Sequence, residues 1–112
     1  MANNLFFAES HEWIRVDGDE AYIGISDYAQ KELGDIVYVE LPEVGDKVTA
    51  GESFGTIEAV KAVEDLNSPA SGEIIEVNAE LEDHPEMINQ SPLDEGWIIK
   101  IKIADISELE EL

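Results

Sequence analysis

Apolar and polar positions alternate along this chain in short runs broken by turn residues, a pattern that predicts a β-sandwich or barrel. Glu12-Trp13-Ile14-Arg15-Val16 alternates, Asp17-Gly18-Asp19 supplies a hairpin turn, and Ala21-Tyr22-Ile23-Gly24-Ile25 returns. Residues 36–41 give the strongest strand signal, closed by Pro42. A turn-rich stretch over 45–52 leads into a strand at 53–59, and a second strand at 62–67 ends at Ser68-Pro69. Ala70-Ser71-Gly72 turns the chain into a strand at 73–77, and residues 96–103 predict a last long strand.

Helical signals are brief. Ser26-Asp27 can cap a helix over 28–33, with Gln30 completing a capping box from Asp27 and Gly34 ending it. Asn78 is placed to cap a turn over 79–82, and His84-Pro85 interrupts anything longer. Ser107 with Glu110 reads as a capping box near the end of the chain. With no linker or low-complexity stretch, residues 1–112 read as a single domain with an N-terminal tail at 1–8 and a central hairpin at about 53–69.

Charge narrows the function classes. The chain carries 27 Asp+Glu against 6 Lys+Arg, a formal net charge of −21. Such a surface repels phosphate backbones and anionic lipid, which argues against nucleic-acid and membrane-surface roles and makes a monomer the default expectation. The acids are scattered, so most read as a solvated face. The hydrophobic fraction of 44% is ordinary for a folded domain. There is no cysteine, so sulfur chemistry would have to come from a cofactor. The N-terminus lacks a basic lead and a long apolar core, and no segment could span a bilayer as a helix, which suggests a cytoplasmic protein or a processed organellar one.

Catalytic constellations are not found. His11-Glu12 begins like a zinc-protease helix, but Arg15 stands where the second histidine is required. Two histidines without cysteine make a poor transition-metal set. Ser71 lacks the framing of a nucleophile elbow, and no glycine-rich loop ends in Lys-Ser or Lys-Thr. Lys61 stands out for another reason: between Lys47 and Lys100 it is the only Lys or Arg, amid 12 Asp or Glu. Ala59, Val60, Ala62 and Val63 surround it near a hairpin tip, where a modifying enzyme could reach it. Spacing alone fits an ordinary solubilising turn lysine better.

The surrounding residues change that balance. Gly51-Glu52-Ser53-Phe54-Gly55-Thr56-Ile57-Glu58-Ala59-Val60-Lys61-Ala62 and Ser68-Pro69-Ala70-Ser71-Gly72-Glu73-Ile74 resemble the lipoylation hairpin of the glycine cleavage system H protein family. Ser10-His11-Glu12-Trp13, Ile23-Gly24-Ile25-Ser26-Asp27, Leu33-Gly34-Asp35-Ile36-Val37, Val39-Glu40-Leu41-Pro42-Glu43-Val44-Gly45, Glu86-Met87-Ile88-Asn89 and Gly96-Trp97 resemble further hallmarks, in family order. Biotin carriers typically place Met on both sides of the lysine, and lipoyl domains of 2-oxoacid dehydrogenases typically place Asp before it. Val60 and Ala62 flank it here.

The resemblance implies a mainly β, barrel-sandwich hybrid of the biotinyl/lipoyl-carrier type with short peripheral helices. It implies a non-catalytic carrier bearing lipoic acid as an amide on Lys61, with no catalytic or metal-binding residues of its own. The aminomethyl group of glycine would pass between glycine decarboxylase (P protein), aminomethyltransferase (T protein) and dihydrolipoamide dehydrogenase (L protein), after a lipoyl ligase or transferase installs the arm. By motif position Ser10, Glu12 and Asp65 would line a cleft that shelters the arm, whose loaded end is cationic.

Three departures stand out. Tyr28 occupies a position that is His in many relatives, Val63-Glu64 makes the approach to the lysine bulkier and more acidic, and the sequence stops at Leu112, short of a C-terminal helix many relatives have. These motivate two alternatives: an H-like lipoyl protein for lipoate relay or another sulfur-redox pathway, and an unmodified binding module of the same fold.

Overall fold

The computed structural model describes residues 5–8 and 11–104. Nine strands and three short helices follow one another as Leu5–Phe7 (β1), Glu12–Asp17 (β2), Glu20–Ile25 (β3), Asp27–Leu33 (α1), Ile36–Glu40 (β4), Lys47–Val48 (β5), Ser53–Ala59 (β6), Val63–Asn67 (β7), Gly72–Val77 (β8), Glu80–Asp83 (α2), Met87–Gln90 (α3) and Ile99–Ile103 (β9). The predicted hairpin of β2 and β3 forms with Asp17 opposite Glu20, and Gly18 takes the positive φ (68°) that so short a loop requires.

Two antiparallel sheets result, one ordered β1-β2-β3-β9-β8-β5 and the other β4-β6-β7. The expected mainly β sandwich with peripheral helices is the observed architecture. Ile14, Ile23, Ile99 and Ile101 of the larger sheet and Val39, Ile57 and Leu66 of the smaller one are almost wholly buried in a shared core. Apolar rows on the inward faces exclude water from both sheets at once, which is what holds them together.

Several expectations need correction. Within the expected N-terminal tail, Leu5, Phe6 and Phe7 pair with Arg15, Ile14 and Trp13, because three large apolar residues in a row can complete the edge of β2. The capping box is built differently: Ser26 is the N-cap, its Oγ accepting the Ala29 N–H at 3.1 Å, while Gln30 Nε2 donates to Asp27 Oδ1 at 2.9 Å. Asn78 makes no side-chain cap for α2. It is buried, and Nδ2 donates to the carbonyls of Glu95 (3.0 Å) and Trp97 (2.8 Å). Those bonds help hold residues 95–97 in a turn, with the Gly96 N–H on Ser91 O at 2.7 Å, so the last strand begins only at Ile99. β5 and α3 were not anticipated, and the helix signal at Ser107 lies outside the described residues.

Candidate functional site

Strands β6 and β7 pair up to Glu58 opposite Val63, and the Ala59 N–H bonds to Ala62 O at 2.8 Å. Val60, Lys61 and Ala62 therefore form the tip of a tight hairpin. The tip rests on the end of α1: the Val60 N–H donates to Asp35 O (3.0 Å) and the Lys61 N–H to Leu33 O (3.2 Å). The last carbonyls of a helix lack intrahelical partners, so the hairpin satisfies one that α1 leaves open. Gly34 ends the helix with φ 81°, and the Lys61 stem lies over it; a Cβ on Gly34 would sit 3.4 Å from Lys61 Cγ and Cε. The lysine itself is exposed, and among the described residues no carboxylate forms an ion pair with it, although Glu58 and Glu64 stand three residues to either side.

Helix α1 is fastened at both ends. Ser26 caps its start, and Asp27 bonds to Gln30 and pairs with Lys31 at 3.1 Å. The Gln30 hydrogen bond first, and Lys31 next, hold the Asp27 carboxyl below the usual aspartate range. At the other end Asn89 Nδ2 donates to Gln30 Oε1 and Gly34 O, both at 2.9 Å, and Asn89 Oδ1 accepts the Ile36 N–H at 2.8 Å.

Between α1, the free edge of β7 and the start of β2 lies a surface cleft of about 440 Å³. α1 contributes Tyr28, Ala29, Glu32 and Leu33, a face at helical spacing. β7 contributes Glu64, Asp65, Leu66 and Asn67, and the start of β2 contributes His11 and Glu12. Ile25 and Ile57 add apolar surface, and Ala62 brings the cleft next to the lysine tip. Glu12 is 3% exposed, and its Oε2 accepts the Asn67 N–H at 2.9 Å. That bond gives a partner to a carboxyl group otherwise shut away from water.

Of the residues expected at the cleft, Glu12 and Asp65 line it, Lys61 adjoins it through Ala62, and Ser10 lies outside the described residues. Sequence reasoning did not assign His11, Tyr28, Glu32 or Glu64 to the cleft. The spacing of Tyr28, Ala29, Glu32 and Leu33 on α1 was the available signal for part of that wall. Among the described residues no group of three or more His, Asp or Glu is arranged to hold a metal ion, and no helix is long and apolar enough to cross a membrane.

Comparison with known proteins bears on this site. The family described as Glycine cleavage H-protein matches residues 5–112. The glycine cleavage system H protein of Halothermothrix orenii is 56% identical over 112 residues, covering 100% of this chain and 88% of that protein. Glycine cleavage system H protein 2, mitochondrial, of Arabidopsis thaliana is 53% identical, covering 100% of this chain and 72% of its own length. The crystal structure of a glycine cleavage system H protein from Mycobacterium marinum superposes with a TM-score of 0.86 at 40% identity, covering 93% of this chain and 87% of that one.

Proposed function

This chain belongs to the glycine cleavage H-protein family, and from that premise we propose that Lys61 is the residue on which it carries lipoic acid. The protein is a carrier component of the glycine cleavage system and not a catalyst in its own right. The observation that carries the Lys61 reading is its setting: an exposed lysine at the tip of a hairpin that is itself hydrogen-bonded to α1.

The residues present suit the group. Acylation of Lys61 removes its positive charge, and no ion pair among the described residues is lost with it. Bound lipoate would supply a dithiolane at the end of a flexible arm. The chain's own part is to present, shelter and release that arm. The two tip hydrogen bonds fix where the arm starts. Glu12, held by the Asn67 N–H, and Asp65 set a negative potential in the cleft that favours a cationic cargo. Ser10, by its place in the motif, is assigned to the same shelter.

In this reading the chain works as a monomer that a lipoyl ligase or transferase modifies, and it visits a glycine decarboxylase, an aminomethyltransferase and a dihydrolipoamide dehydrogenase in turn. Glycine–bicarbonate exchange by purified glycine decarboxylase tests it. Exchange should depend on the lipoylated chain and vanish with Lys61→Ala. A fully lipoylated chain that supports no exchange would remove the glycine cleavage assignment and point to another lipoate-dependent role.

A further inference from the structure

We propose that the His11–Tyr28 ring pair is the end wall of the cleft, and that Tyr28 positions the sulfur-bearing end of the arm carried on Lys61. The inference rests on the lipoyl reading and extends it to a residue and a direction. The two rings meet at 4.8 Å between centroids with planes inclined by 50°. His11 is fixed by its backbone: φ is 73°, its N–H bonds to Ala8 O at 3.0 Å, and its carbonyl accepts the Ser26 N–H at 2.8 Å. Ser26 is the N-cap of α1, so one hydrogen bond ties the His11 turn to the helix start that presents Tyr28.

Both rings also line a second, largely apolar cleft of about 420 Å³ that includes Phe7 and Leu93. The pair therefore stands between two cavities, and removing the Tyr28 ring would let the first run toward the second.

The arm is long enough to reach Tyr28. The Lys61 N–H is bonded to Leu33 at the C-terminal end of α1, and Tyr28 lies five residues earlier on the same helix. At the rise of an α-helix that is roughly 8 Å, a distance that an extended octanoyl-length chain starting at Lys61 covers. Along this path run Leu33, Ala29 and Ile57, which suit methylene groups. At its end Tyr28 is 57% exposed, an aromatic ring with open surface where a polarisable sulfur makes a favourable contact.

The test uses the lipoylated full chain. Mass spectrometry first establishes that Lys61 carries the arm; failure there overturns the attachment reading, and this inference with it. On the lipoylated protein, nuclear Overhauser contacts are expected between dithiolane protons and the Tyr28 ring, with amide shifts at residues 28–33 relative to the unlipoylated chain. Reduction of the dithiolane by a water-soluble phosphine should accelerate by about two- to tenfold in Tyr28→Ala, the range of a sulfur–aromatic contact, and stay within about twofold of wild type in Tyr28→Phe. Contacts confined to residues 59–63, or equal reduction rates in wild type and Tyr28→Ala, would overturn the proposal while leaving Lys61 as the attachment point.

Discussion

Asn89 concentrates three hydrogen bonds in one half-buried amide, to Gln30, Gly34 and Ile36, and so fixes the helix end on which Lys61 rests. Asn89→Ala strips the Ile36 N–H and the Gly34 carbonyl of these partners. An unsatisfied group costs ~1–3 kcal/mol when fully buried, so a loss of about 1–2 kcal/mol in urea unfolding is expected, and an unchanged midpoint would refute that role. The sequence marks Glu86-Met87-Ile88-Asn89 as a motif, yet nothing in it specifies bonds to residues more than fifty positions away. Glu12 is similar. By alternation Glu12 shares a face with Ile14 and Val16, and it is buried there with its carboxyl on the Asn67 N–H, a partner 55 positions away that the sequence does not specify. Lys61 is more legible, since a lone Lys among acids is a local feature; the resemblance around it, and not its spacing, is what motivates the lipoyl proposal.

Helix α1 and the hairpin of β6 and β7 are the elements that make the site, and both were foreseen almost to the residue at 28–33 and 53–59. Local chemistry suffices there: Ser26 and Gly34 bound the helix, and Pro69 follows the second strand. The docking of the hairpin tip on α1 was not foreseen, because it consists of backbone bonds to Leu33 and Asp35. The shortened β9 and the inward Asn78 have the same origin, tertiary bonds overriding local pattern. The first turn of α1 makes a testable pH dependence. Asp27 has a folded pKa below its unfolded one, so its contribution is complete above the unfolded aspartate range and is lost as pH falls through the lowered folded value. Carboxyl-carbon NMR should place its midpoint below the ordinary aspartate range, and Gln30→Ala should move it upward. A midpoint unaffected by that change would contradict the assigned cause.

At the scale of the molecule, the spaced turn residues announced a mainly β fold, but not the order of its sheets, since pairing β3 with β9 joins segments far apart in sequence. The net charge of −21 governs the surface. Mutual repulsion of so many carboxylates opposes the compact state, and salt screens it. Raising NaCl from about 10 mM to about 0.5 M should raise the melting temperature by roughly 3–6 °C, on the order of 1 kcal/mol for a domain of this size. A fall would mean that specific surface ion pairs outweigh the repulsion. Peptide-mapped mass spectrometry of the chain co-expressed with a lipoyl ligase tests its role as a lipoyl carrier most directly. The predicted result is one lipoyl increment on Lys61, absent from Lys61→Ala. An unmodified Lys61 beside a fully modified control acceptor, or biotin in its place, would contradict it.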